Sequence, residues 1–206
     1  MKMGRNKRGM VEVVVKVVFA GAIILVALWS LQVMSSATLR VWGDKFRLAQ
    51  DRARAERLYK AAMMIDPQNW HAPLGLGQIY SHYRYYELDP VAKRELAQKE
   101  QAAFAQAYRH NIKKEEIVYG LGRSELALSM KQGCTEQGAH REAGLKYLRQ
   151  AAHYKRFNDF YWRKLGIELR KEGLYEEALE TFLYAQKLDR SNKTVKRNIQ
   201  WLRERL

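Results

Sequence analysis

The sequence predicts an all-α chain: a single N-terminal transmembrane helix, then an α-solenoid of about four helix pairs and a C-terminal capping helix. Three observations carry this expectation. The 18 residues from Val17 to Met34 carry no charge. Only three prolines occur in 206 residues, and strong helix formers dominate beyond residue 45. One spacing of small, apolar and aromatic residues appears near residues 36–69 and again near 158–191. With 47% hydrophobic residues the chain can also build a packed core, which argues against disorder.

The first element is the anchor. A basic tail, residues 1–10, precedes an apolar segment, residues 11–35, interrupted only by Glu12 and Lys16. At a rise of about 1.5 Å per residue, Val17 to Met34 alone spans roughly 27 Å, close to the hydrocarbon thickness of a bilayer. Lys16 can snorkel at one boundary, and Trp29 suits the other. Ser35-Ser36-Ala37 resembles a signal-peptide cleavage site, but the apolar stretch is too long for a signal core. Four basic residues within the first eight predict a cytoplasmic N-terminus, with the remainder on the periplasmic or outer side of the inner membrane. Arg40, Lys45 and Arg47 reduce that asymmetry.

Beyond the anchor the periodicity is that of paired helices. Residues 159–189 place Trp162, Leu165-Gly166 and Leu169 on one helix, a turn at Gly173, and Ala178, Phe182 and Ala185 on the next. Trp42-Gly43, Phe46, Ala55, Tyr59 and Ala62 fall in the same register, followed by Asp66-Pro67. This pattern resembles the tetratricopeptide repeat, with Arg190 standing where a proline is usual. Small residues let the helices of a pair approach, and each pair leaves an apolar face that a neighbour must cover.

A second unit begins at Trp70, with Leu76-Gly77 and Tyr80 on its first helix and Phe104 and Ala107 on its second. A third has Leu121-Gly122, then Ala143 and Tyr147, although Gln150 stands where the last alanine belongs. Both middle units carry insertions, of 11 and nine residues, which predict long loops around Ser81–Pro90 and Lys131–His140. Ser191 or Asn192 can cap a last helix with Val195, Ile199, Leu202 and Leu206 on one face. The expected units are therefore 36–69, 70–114, 115–157 and 158–191, closed by residues 192–206.

Nothing in the sequence nominates catalysis or a cofactor. His71, His82, His110, His140 and His153 show no metal-ligand spacing, and no phosphate-binding glycine loop occurs. Cys134, the single cysteine, reads as an incidental loop thiol. Glu115-Glu116 and Glu176-Glu177 sit at expected helix starts, where they complement the macrodipole. Trp42, Tyr59, Tyr80, Phe104, Tyr147, Trp162 and Phe182 occupy repeat positions and are expected in the core. Tyr83, Tyr85 and Tyr86 fall outside the repeat pattern and form a candidate loop contact.

The net charge is +15, of which residues 1–34 contribute +4 from five cations and one acid, leaving +11 for the rest. Such a balance suits an acidic protein, anionic lipid or nucleic acid, and the anchor argues against the last. The resemblance implies a concave groove lined by Arg40, Arg47, Gln78, His82, Tyr119, Arg123, Arg163 and Arg170. The carboxylate clamp of the chaperone-binding subclass is not matched, because Arg40, Asp44, Gly75, Glu116 and Gly120 stand at its positions. The resemblance thus implies a non-catalytic scaffold mediating protein–protein interaction, an assembly or accessory subunit of a bacterial cell-envelope complex (secretion, pilus, polysaccharide or respiratory-complex assembly). Its partners would be proteins, with an acidic surface or within a multi-subunit membrane complex, and lipid through the anchor. The alternative is a basic helical domain binding anionic lipid or a surface polymer.

Overall fold

The computed structural model describes residues 3–129 and 137–206, and among these it contains nine helices and no strand. Cys134 and most of the second expected loop lie outside the described residues. The chain forms two compact units, Met1–Gln68 and Asn69–Leu206.

The first unit is a hairpin of very unequal arms. Helix α1 runs unbroken through Met3–Leu48, so the apolar segment and the first repeat helix, expected as separate elements, are one rod about 69 Å long. Its side chains between Val15 and Met34 are largely exposed, including Phe19 at 69% and Leu25 at 68%. Fully burying one such side chain is worth about 1.5–3 kcal/mol relative to leaving it in water. The helix is long and apolar enough to cross a membrane.

Helix α2, Arg52–Ile65, returns along the far third of α1. The turn between them closes at Gln50, whose φ of 64° is left-handed, and the Asp51 carboxylate caps α2 by accepting from the Arg54 amide at 3.1 Å. Tyr59 and Ala62 are fully buried. The Tyr59 ring lies so close to Gly43 that an added Cβ would sit 2.8 Å from it.

The second unit repeats this joint. Helices α3 (His71–Tyr86) and α4 (Pro90–His110), α5 (Glu115–Leu128) and α6 (Gln137–Tyr154), and α7 (Asp159–Lys171) and α8 (Tyr175–Leu188) form three pairs, each helix packed on the next. Gly77 meets the Phe104 ring at 2.8 Å from its virtual Cβ, and Gly166 meets Phe182 at 3.0 Å. Between α5 and α6 Gly122 meets Leu148 and the Gly144 carbonyl, both at 2.9 Å. Gly144, Leu148 and Ala151 therefore occupy the positions expected of Ala143, Tyr147 and Gln150, a register one residue later. Tyr147 is only partly buried.

Helix α9, Lys193–Arg203, begins at Asn192, whose side chain accepts from the Thr194 and Val195 amides. It buries Val195, Ile199 and Leu202 in the core of the last pair. Leu206 lies beyond the helix and is 60% exposed, so the stripe is three residues long.

Three further expectations change. The first insertion is not a loop, because α3 and α4 extend as helix until only Glu87–Asp89 connects them. Asp89 caps α4 by accepting from the Ala92 amide at 2.8 Å, and Pro90 fits the first turn, where no amide partner is required. Residues 137–140, expected in the second loop, open α6. Trp42 is not core: it is 49% exposed, stacked on Phe46 with the Lys45 ammonium 4.9 Å from its ring.

Candidate functional site

Four helices of the second unit line one cavity of about 570 Å³. From α3 come Gln78, Ser81, His82 and Tyr85, and from α5 come Glu116, Tyr119, Gly120 and Arg123. Both sets recur at intervals of three and four residues, which keeps them on one helical face. Helix α7 adds Phe160 and Tyr161, and α4 supplies Glu100 and Phe104 from behind.

The floor is possible because two glycines flank one ring. Phe104 touches Gly77 of α3, and a Cβ on Gly120 of α5 would come within 2.4 Å of it. Beside it Glu100 is fully buried and is answered by the Arg84 guanidinium, which donates from Nε to Oε2 at 2.6 Å. A buried acid of this kind is tolerated because it is paired. The wall is aromatic: the Tyr119 ring centroid lies 5.5 Å from Phe160 and 5.7 Å from Tyr161. Burial pushes both tyrosine hydroxyls above their ordinary range.

Cations crowd this aromatic end. The Arg123 guanidinium lies 5.8 Å from the Tyr119 ring, while Arg163 and Lys164 approach the Phe160 ring at 5.7 and 5.6 Å. Burial, and then the charges of Arg123 and Arg163, hold the Lys164 ammonium below its ordinary range. Arg163 faces Asp159 at 3.6 Å, yet its buried Nε makes no hydrogen bond. A further carboxylate placed here would relieve both conditions.

The expected groove residues divide accordingly. Gln78, His82, Tyr119 and Arg123 meet at the cavity, and Arg163 stands beside Phe160. Arg170, two turns along α7, packs over the Trp201 ring at 5.0 Å. Arg40 and Arg47 belong to the first unit, where both pair with Asp44, and Arg47 also donates to the Tyr59 hydroxyl at 3.3 Å. The three tyrosines are helical, on the last turns of α3. Tyr85 joins the cavity wall, Tyr86 rests edge-on against it at 5.0 Å, and Tyr83 is half-buried.

Sequence reasoning missed Ser81, Phe160, Tyr161 and Lys164. The three-residue step from Gln78 on α3 was a signal for the first, whereas the others required the placement of α7 against α5. It also missed one acid–base contact, His140 Nδ1 at 2.6 Å from the buried Glu125, whose other oxygen accepts from Gln101 at 3.1 Å. No cluster of three or more His, Cys, Asp or Glu suited to a metal occurs among the described residues.

No protein-family model and no curated protein matches the chain. Solved structures do resemble it. YrrB, described as a TPR protein with an unusual peptide-binding site, aligns with a TM-score of 0.63 at 20% identity, covering 81% of this chain and 75% of its own. The MamA protein aligns at 0.64 and 19% identity, covering 82% and 81%. TTC0263, a thermophilic TPR protein of Thermus thermophilus, aligns at 0.61 and 14%, covering 83% and 82%. At these identities the likeness is one of fold, and the fold is the tetratricopeptide solenoid.

Proposed function

We propose, from a tetratricopeptide fold joined to a long apolar helix, that this chain is a non-catalytic membrane-anchored scaffold whose second unit takes up an acidic segment of a protein partner. One observation carries the reading: Arg123, Arg163 and Lys164 converge on the aromatic end of a cavity lined from α3, α5 and α7. An extended peptide can lay apolar side chains on Tyr119, Phe160 and Tyr161 and present a carboxylate to the cations. YrrB's described peptide-binding site supports a peptide as the ligand class.

The anchor supports a place at the inner membrane, N-terminus cytoplasmic and repeat units on the outer side, as an accessory or assembly subunit of a cell-envelope complex. A photo-crosslinking residue at Gln78 of the full-length chain tests this in cells. Capture of a defined neighbour is expected, and the Arg123→Glu, Arg163→Glu double variant should lower it about tenfold or more, the loss of roughly 1.4 kcal/mol or more from charge-assisted contacts. Undiminished capture at full helical content would remove the cavity from the binding site.

A further inference from the structure

Helix α2 descends along α1 further than a domain standing clear of a bilayer requires. The two helices meet in antiparallel order at three points. Gly43 faces the Tyr59 ring, Ser36 Oγ donates to the Ala62 carbonyl at 3.1 Å, and the Gln32 side-chain amide donates to the Ile65 carbonyl. Gln32 lies within the uncharged stretch that runs from Val17 to Leu39. The first charge above it, Arg40, is about 12 Å further along the axis.

The chemistry at that level is apolar outside and satisfied inside. Met64 is 79% exposed on α2, and Leu31 and Met34 are 61% and 67% exposed on α1. The Ile65 carbonyl is one of the last four of its helix, which no amide of α2 can reach. In a poorly hydrated layer it would be costly to leave unpaired, and so would the Gln32 amide, and each satisfies the other. Toward the far end of α2, Lys60 and Arg57 project outward about 6 and 10 Å beyond Met64. An apolar tip below a charged collar, of Arg57 and of Lys60 paired with Glu56 at 2.7 Å, is the arrangement of a helix end seated at a lipid surface. Asp66, Pro67 and Gln68 leave the helix at this tip, which limits its depth to the boundary between headgroups and acyl chains.

We propose that the last turn of α2, with Met64 outermost, rests in the headgroup–acyl boundary of the bilayer that α1 crosses, with Lys60 and Arg57 at phosphate height. This contact rests on the anchor reading. It gives the first unit a second point of attachment beside the span, so that the hairpin cannot roll freely about the axis of α1.

Site-specific fluorescence on the full-length chain tests it. In a Cys134→Ser background, Met64→Cys, Ala53→Cys and Leu25→Cys are each labelled with an environment-sensitive dye. The proteins are reconstituted in vesicles of phosphatidylcholine and phosphatidylglycerol carrying lipid-borne nitroxide quenchers. Emission from Met64→Cys should shift to the blue and be quenched, while Ala53→Cys, at the opposite end of α2, should be neither. Leu25→Cys reports on the anchor itself. A quenched Leu25→Cys beside an unquenched, aqueous Met64→Cys overturns the lipid contact alone. If Leu25→Cys is unquenched as well, the anchor and the contact fall together.

Discussion

Tyr59 shows how one side chain ties the first hairpin together. Its ring fills the space left by Gly43, and its hydroxyl donates to Asp44 Oδ1 at 2.6 Å while accepting from Arg47. Burial, and then the bond to Asp44, push this hydroxyl from 10.0 up to about 12. Because the folded value exceeds the unfolded one, the stabilisation is complete below pH 10 and is lost as the pH rises through about 12. Tyr59→Phe should therefore cost about 1 kcal/mol at neutral pH, where a net hydrogen bond is removed. Between pH 10 and 12 the native chain should lose stability more steeply than the variant. Denaturant unfolding of the full chain in micelles, followed by helical circular dichroism across that range, measures both; parallel pH profiles would count against a buried, hydrogen-bonded Tyr59.

Between elements, the same turn is built twice from different residues. Gln50 stands four residues beyond Phe46 and Gly173 four beyond Leu169, both with positive φ, 64° and 77°. In both, the next amide reaches back to the fifth residue before it, Asp51 to the Phe46 carbonyl and Leu174 to the Leu169 carbonyl, at 2.9 and 3.0 Å. Glycine adopts this conformation without the Cβ strain that costs other residues roughly 1 kcal/mol. Gln50→Gly is accordingly expected to raise stability by up to about 1 kcal/mol, and Gly173→Gln to lower it by about the same. No atom lies within 4 Å of a Cβ on Gly173, so the second effect is that of backbone alone. Thermal melts of the two variants should move in opposite directions, and a shift of the same sign would break the equivalence of the turns.

At the scale of the whole molecule, stability passes from pair to pair. Each helix of the second unit packs on its successor, so the terminal face of α8 depends on α9 to exclude water. Val195 and Leu202 are fully buried and Ile199 is 4% exposed in the cluster that contains Phe182 and Leu169. Leu202→Ala should cost about 2–5 kcal/mol locally. In a stack coupled to nearest neighbours this loss stays near its source, so amide exchange should quicken in α7 and α8 and remain slow in α3 and α4. Uniform acceleration across the second unit would instead mark it as one cooperative block.

The paired-helix architecture was legible in the sequence because it rests on local chemistry. Glycine opposite an aromatic, alanine at the seam and an uncharged run of bilayer length leave marks within a few turns of each other. Gly43 with Tyr59 and Gly166 with Phe182 could be matched by spacing alone, and so could the stripe of α9 except for its last residue. The insertion after Tyr80 could be counted but not interpreted, since residues added to two helices and residues added to a loop have the same length. The candidate site was half legible. Gln78, His82, Tyr119 and Arg123 follow helical periodicity, but the crowding of Lys164 by Arg123 and Arg163 joins residues about 40 positions apart. The contacts of Gln32 with Ile65 and of His140 with Glu125 are likewise products of packing. Propensity and periodicity act over a few residues, so the paired helices and most of the faces they hide can be read from the sequence, whereas the lengths to which those helices extend cannot. Which charges meet is a matter of packing, because electrostatic interaction depends on distance in space and not along the chain.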